Sequence, residues 1–384
     1  MADRSPARDL LIALTATSSL SRAAVCRLGA ELDRWAGVPA PADPVRQAAE
    51  LGVPPAQLAR ARAVLPQAAA LARRETERAE RLGAHLLTAL DPAYPERLRQ
   101  LSLAPPVLYI RGRLPEGPAV AIVGSRRADA YGREVADLFA RALAAAGVAV
   151  VSGFARGVDA AAHRGALAVG GATVAVLGCG LGVDYPSGHA ALGEEIAAGG
   201  IGAMVSEFPC GLPPRTWHFP VRNRIIAALT DGTLVVQATL RSGSLITARH
   251  ALDLGREVWA VPGRIFDERS QGPNALLRDG AGLVEHPRDI LESLGRPMPR
   301  SEAIPSEASE APEVPAEPER ETPPGPAGAV LAALPPGVSL APEDLAARAG
   351  LAIDQTLGAL LELELNGWVK RHPGGAYGRL GPMR

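Results

Sequence analysis

From residue 118 to residue 262 the chain repeats one pattern, a short and continuously apolar run followed by a stretch with helical spacing. The apolar runs are "AVAIVG", "VAVVSG", "TVAVLG", "AMVSEF", "TLVVQA" and "EVWAVPG". Between them lie "GREVADLFARALAAAG", "VDAAAHRGALAVG", "ALGEEIAAGG", "PVRNRIIAALTDG" and "SLITARHALDLG". A strand with one face in water alternates apolar and polar residues, whereas a strand covered by helices on both faces is apolar throughout. The repeat therefore predicts an α/β fold with a doubly wound, mostly parallel sheet. Right-handed crossovers then bring the C-terminal ends of the strands to one rim, where open α/β sheets bind their ligands.

The remainder of the 384 residues divides by composition. Residues 1–85 place Ala and Leu at helical spacing in "ARDLLIAL", "SRAAVCRLGAELDRWAG" and "AQLARARAVLPQAAALARRETERAERL", with a break at Gly52-Val53-Pro54-Pro55, and predict a helical N-terminal domain. Residues 86–295 form the sheet domain. Residues 296–328 alternate Pro with Glu and hold almost no large apolar residue, as a solvated linker does. Residues 329–384 contain three helical patterns and then "WVKRHPGGAYGRL", a hairpin through Pro373-Gly374-Gly375. Three helices and a terminal hairpin suggest a winged-helix-like module, a class that binds duplex DNA or other proteins.

A formal net charge of -1 excludes a uniformly basic surface, so any contact with nucleic acid must come from individually placed cations. Lys370 is the only lysine, and arginine is the default cation throughout. Cys26, Cys179 and Cys210 are widely separated and odd in number, which fits a reducing cytoplasm better than a disulfide framework. The run "LLIALTA" is the length of a signal-peptide core, but Asp9 abuts it and no clean cleavage pattern follows. No apolar run is long enough to span a bilayer.

The residues that follow the apolar runs share a style. They are Gly124-Ser125-Arg126-Arg127, Gly153-Phe154-Ala155-Arg156-Gly157, Gly178-Cys179-Gly180, and Arg241-Ser242-Gly243-Ser244. Small residues let backbone N–H groups approach an anion, hydroxyls add donors, and arginine offers a fork suited to phosphate. The stretch "HFPVRNRIIAAL" adds Arg222, Asn223 and Arg224 where a helix begins, a place that ordinarily carries Asp or Glu. Pro220 at the first helical position would make Phe219 the N-cap, a residue that cannot cap. An arriving anion would then complete this helix start, with Glu207 or Asp231 neutralising one of the two arginines internally. Trp217 and Phe219, which flank these charges, are candidates for stacking on bases. Asp159 and His163, four residues apart on one helix, read as a helix-stabilising pair or as hydrogen-bonded support behind the site rather than a catalytic dyad.

No G-x-G-x-x-G follows the first run, no G-x-x-x-x-G-K-[ST] occurs, and neither H-x-x-x-H spacing nor paired strand-end carboxylates are present. The expectation is a phosphate-binding site without catalytic residues, metal or cofactor.

In order along the chain, "VAIVGSR", "VSGFARGVDAAAH", "AVLGCGLGVDYP", "SEFPCGLPP", "HFPVRNRIIAAL", "RSGSLITARHAL", and "AVPG" with "GPNALLRDGA" resemble the DNA-processing protein A family, DprA or Smf. The likeness runs from about residue 91 to 285 and opens with "DPAYPERLRQLSLAPPVLYIRG". It implies a Rossmann-like sheet domain flanked by a helical, SAM-like N-terminal domain and a C-terminal winged helix. It implies a non-enzymatic cytoplasmic protein that binds single-stranded DNA during natural transformation, protects it and loads the RecA recombinase. A homodimer formed through the sheet domain is implied as well. Gly124, Ser125 and Arg126, with Arg222, Asn223 and Arg224, match the family's phosphate-contacting pocket, and Phe219 matches an aromatic beside it. Gly153, Arg156, Gly157, Ser242, Gly243 and Ser244 complete the candidate set from the strand-end pattern. The sequence departs from the family at Gln237, where Glu is usual, and at His189, where Asn is usual. The second change puts the contribution of the Tyr185 loop in question.

Two rival readings remain. A nucleotide phosphoribohydrolase would use similar strand-end glycines and arginines, but its P-G-G-x-G-T-x-x-E signature is absent. A duplex-DNA-binding regulator would act through the winged helix.

Overall fold

The computed structural model describes residues 6–18, 21, 23–26, 55–296, 323–335, 339–371 and 375–379. Contacts divide the chain into two units, Met1–Ala303 and Ile304–Arg384. Most of "SRAAVCRLGAELDRWAG" and most of the Pro/Glu linker lie outside the described residues.

The first unit is built on a sheet of β1 (Ala84–Thr88), β2 (Val107–Gly112), β3 (Ala119–Val123), β4 (Ala149–Ser152), β5 (Thr173–Val176), β6 (Ala203–Ser206), β7 (Gly232–Val235), β8 (Glu257–Ala260) and β9 (Gly282–Leu283). Their spatial order is β1-β2-β6-β5-β4-β3-β7-β8-β9. The six apolar runs are β3 to β8, and they pair in parallel where they adjoin. Beyond them, β9 extends the parallel part, while β2 and β1 add an antiparallel edge beside β6. The mostly parallel, helix-flanked sheet is thus the architecture present.

Helices α1 (Pro6–Thr17), α2 (Pro55–Val64) and α3 (Ala68–Glu80) precede β1, and α4 (Glu96–Arg99) precedes β2. The crossovers are α5 (Ala130–Ala145), α6 (Val158–Ala168), α7 (Ala190–Ala198), α8 (His218–Ala228) and α9 (Ser244–Asp253); α10 (Gln271–Arg278) and α11 (Pro287–Ser293) close the unit. Because successive strand residues point to opposite faces, β3 divides its side chains between two layers. Val120 and Ile122 join Phe139 and Leu143 of α5 and Val158 of α6. Ala121 and Val123 face the other way, among Ile225 and Ile226 of α8 and Ala248 of α9. Leu11, Leu14, Ala72 and Ala79 from α1 and α3 share a core with Leu86, Tyr109 and Leu177, so the N-terminal helices pack on the sheet's antiparallel edge.

The second unit contains α12 (Pro326–Ala333), β10 (Ser339–Leu340), α13 (Pro342–Ala349), α14 (Ile353–Leu365), β11 (Val369–Arg371) and β12 (Tyr377–Arg379). The antiparallel sheet has the order β10-β12-β11, and Val330, Leu331, Leu345, Leu360, Leu363 and Val369 fill its core. Three helices and the antiparallel β11–β12 pair are the arrangement expected of a winged helix; the turn expected at Pro373-Gly374 lies outside the described residues.

Candidate nucleic-acid interface

The loops after β3, β4 and β5 and the start of α8 enclose an open cavity of about 410 Å³. Arg126, Arg156, Tyr185, Phe219 and Arg222 line it. Arg126 is exposed, and its guanidinium lies 4.8 Å from the centroid of the Phe219 ring. Tyr185 meets the same ring at 5.4 Å. A Cβ on Gly178 would stand 2.7 Å from Phe219 Cδ1, so the glycine leaves the space that the ring occupies. Arg156 donates to the Ser187 carbonyl at 3.2 Å and ties the loop after β4 to the Tyr185 segment. The cavity thus combines two exposed cations with a pair of aromatic rings.

The backbone amides do not play the part expected of them. Ser125 N–H donates to the Gln237 carbonyl at 2.6 Å, and Arg127 N–H donates to Ser125 Oγ at 3.1 Å. Gly153 and Ala155 N–H both donate to Asp159 Oδ2, at 3.0 and 3.2 Å. A turn with Phe154 at φ 60° brings this carboxylate, from the first turn of α6, back over the strand end. Gly157 has φ 79°, and a Cβ there would overlap the Ser125 carbonyl oxygen, to which Val158 N–H donates at 3.2 Å. The N-terminus of α6 is therefore seated on the Gly124-Ser125-Arg126 loop. The protein's own acceptors take up the amides of Ser125, Arg127, Gly153, Ala155 and Val158, and the exposed guanidinium groups of Arg126 and Arg156 supply positive charge at the rim.

The start of α8 also differs from expectation. The helix begins at His218 with Trp217 as N-cap, and Pro220 sits inside the first turn. Its missing N–H costs nothing there, because the first four amides of a helix have no partner within the helix. Phe219 is hence helical, and its side chain packs into the cavity. The two arginines have separate fates. Arg224 is buried and donates to Glu207 Oε1 and Oε2 at 2.8 and 2.7 Å, and also to the Leu103 and Val221 carbonyls. Burial opposes its charge, but the Glu207 pair prevails and holds its pKa above the ordinary value. Asp231, the other internal partner considered, instead pairs with Arg97 at 2.8 Å.

Arg222 is 4% exposed and donates to the Gly153 carbonyl at 2.8 Å and to the Val176 carbonyl, joining the ends of β4 and β5. Burial pushes its pKa down to about 10, against the favourable field of Asp159. It forms the floor of the cavity, while Arg126 and Arg156 form its rim. Asn223 Nδ2 donates to the Gly243 carbonyl at 2.9 Å and fixes the loop after β7.

That loop does not reach the cavity. Ser242 lines a separate hollow with Arg241 and Arg249, Ser242 and Ser244 hydroxyls bond each other at 2.7 Å, and Ser244 is buried. The reason is strand order: β7 lies across β3 from β4, and the Gln237 carbonyl ties its end to the loop after β3 through Ser125 N–H. Gln237 Nε2 donates to Asp129 Oδ1 at 3.0 Å, and Asp129 also accepts from Gly132 N–H and pairs with Arg269. A glutamate in place of Gln237 would set two carboxylates against each other. Trp217 is 53% exposed and lines another cavity, with Leu212 and Arg215, so the two stacking candidates are separated.

Asp159 and His163 make no pair; His163 Nδ1 lies 2.7 Å from Thr173 Oγ1. His189 packs edge-on to Phe154 at 5.3 Å, and the segment it follows still places Tyr185 against Phe219. Sequence reasoning passed over Asp184 and Ser187, which line the cavity beside Tyr185, because nothing local marks that loop as adjacent to Arg156. Among the described residues no cluster of His, Cys, Asp or Glu could hold a metal ion, and the three cysteines are buried and form no disulfide.

The family model of the DNA recombination-mediator protein A matches residues 85–295, and that of the DprA winged helix domain matches residues 314–375. The chain belongs to the DprA/Smf family. Protein Smf of Escherichia coli K12 is 42% identical over 299 residues, which cover 77% of each chain. A Mycobacterium tuberculosis protein described as a putative DNA processing protein DprA is 40% identical over 320 residues, covering 77% of this chain and 79% of the other. The X-ray structure of DNA processing protein A from Streptococcus pneumoniae superposes with a TM-score of 0.64 at 33% identity, over 72% of this chain and 95% of that one. The family match and the cavity fall on the same unit, since every residue that lines the cavity lies between 85 and 295.

Proposed function

We propose that this member of the DprA/Smf family binds single-stranded DNA in the cavity above β3, β4 and β5, protects it, and loads the RecA recombinase onto it during natural transformation. The observation that carries this reading is the exposed Arg126 guanidinium over the Phe219 ring, with Arg156 and Tyr185 on the same rim. Guanidinium groups track phosphates, and aromatic rings accept any base by its face, so the combination suits a strand whose bases are turned out. A paired duplex presents phosphates outside and no free base face to such a recess. The family of this chain and the printed names of its relatives, DNA processing proteins, support a role on DNA.

The action is one of binding, without catalysis or cofactor, in the cytoplasm. Among the described residues no helix is long and apolar enough to cross a membrane. We assign Gly124, Ser125, Gly153, Gly157 and Asn223 to holding the loops, and Arg126, Arg156 and Phe219 to touching DNA. The working division is a helical domain to residue 85, the binding domain to 295, a linker to 328 and the winged helix beyond. A homodimer through the sheet domain is consistent with the exposed Leu283 on edge strand β9. Anisotropy titrations with oligo-thymidylate and with duplex test the reading; preference for duplex would refute it, as would release of base from nucleoside monophosphates.

A further inference from the structure

We propose that the exposed face of α14 is a docking surface for a cationic amphipathic helix of a partner protein. In the second unit, the exposed large apolar side chains among the described residues are Ile353, Leu357, Leu361 and Leu365, at 45%, 48%, 58% and 80% exposure. All four belong to α14 and recur every fourth residue. Positions four apart rotate by about 40° on a helix, so they form one oblique stripe roughly 18 Å long. Scattered exposed leucines are ordinary, but a continuous helical stripe marks an interaction surface.

The stripe is not left over from core packing. Thr356, Ala359, Leu360 and Leu363 supply the buried face of α14. Gly358 lies on the stripe side, three residues before Leu361, and a Cβ there would meet nothing within 4 Å. Among the described residues no neighbour requires a glycine at that position, whereas a second helix lying close against the stripe would use the space.

Charge decides the occupant. The helix carries Asp354, Glu362 and Glu364 and no cation, and α13 carries exposed Glu343 and Asp344 against a single cation, Arg348, in its last turn. In a winged helix the corresponding helix would lie along the phosphates of the major groove, and an acidic helix is repelled there. A second copy of α14 would bring the same carboxylates face to face. The segment at 301–321, with seven glutamates, is excluded on the same ground. Leucines bordered by carboxylates fit a helix that pairs apolar residues with Lys or Arg. The basic strand β11 reaches only the C-terminal end of this helix, where Arg371 N–H donates to Glu364 Oε1 at 3.4 Å.

The test uses the full chain and a fluorescent helical peptide of Leu and Lys, about as long as the stripe. Saturable binding is expected, weakened at least about tenfold by Leu357→Gln with Leu361→Gln, unchanged by Lys370→Ala, and absent for the matching Leu and Glu peptide. Both leucines are about half exposed, and an unchanged melting curve verifies folding of the variant. Equal binding of both peptides, or equal binding by the variant, overturns the proposal. So does a loss of duplex-DNA binding in the variant, which makes the face a DNA surface, or a change in its oligomeric state, which makes the occupant a second copy.

Discussion

Replacing Arg126 by alanine separates binding from folding, and the structure sets the size of both effects. Arg126 is exposed, lies over the Phe219 ring, and among the described residues makes no ion pair. Its removal should change stability by no more than about 1 kcal/mol, the worth of an exposed cation–π contact. A charge-assisted hydrogen bond to phosphate contributes about 1.5–3 kcal/mol, so affinity for oligo-thymidylate should fall roughly 10- to 150-fold. The slope of log affinity against log salt should shrink by about 0.7, the value for one phosphate on a single strand. Arg224→Ala should do the reverse. It strands Glu207, which is 4% exposed, and should destabilise the fold by about 3–5 kcal/mol. The assay is fluorescence anisotropy over a salt series, with melting curves on the same samples. Unchanged affinity and slope for Arg126→Ala, or a stable Arg224→Ala that has lost binding, would refute the division between rim and floor.

Phe219→Ala should weaken binding to all sequences by about 1–3 kcal/mol, the worth of one stacked base, while Trp217→Ala, on a different cavity, should leave the same titration unchanged. Gly157→Ala forces a side chain into φ 79° against the Ser125 carbonyl and should lower stability by at least about 1 kcal/mol in urea unfolding. His163 is driven down to about 3 by burial, with the charges of His189 and Arg222 adding, so the native imidazole stays neutral while the unfolded one protonates near 6.5. Below pH 6.5 the unfolded chain binds the extra proton, and stability should fall by about 1.4 kcal/mol per pH unit until the pH nears 3. The difference in unfolding free energy between wild type and His163→Gln should shrink along that interval; a constant difference would mean that His163 is not the group responsible.

Strands β3 to β8 were legible because burial on both faces leaves an apolar run that no helix pattern imitates. Strand β1 was not: "RLGAHLLTAL" spaces its leucines like a helix, and only pairing of Ala84–Thr88 with Val107–Arg111, a contact distant in sequence, makes it a strand. At the site, Arg126 and Phe219 could be read because they stand in the cavity themselves. The spent amides could not, since Asp159 reaches Gly153 only through the left-handed turn at Phe154, and sequence spacing pointed it at His163 instead. The sequence implied an internal carboxylate, Glu207 or Asp231, for one of the two arginines but not which pair forms, and the turning of Arg222 onto strand-end carbonyls depends on the depth of α8 beneath the rim.

The most direct test is where a bound strand touches the protein. Oligonucleotides carrying 5-bromodeoxyuridine, irradiated in complex with the full chain and mapped by mass spectrometry, should cross-link to Phe219 or Tyr185. Cross-links confined to the second unit, or to Trp217 and its separate cavity, would show that the strand binds elsewhere.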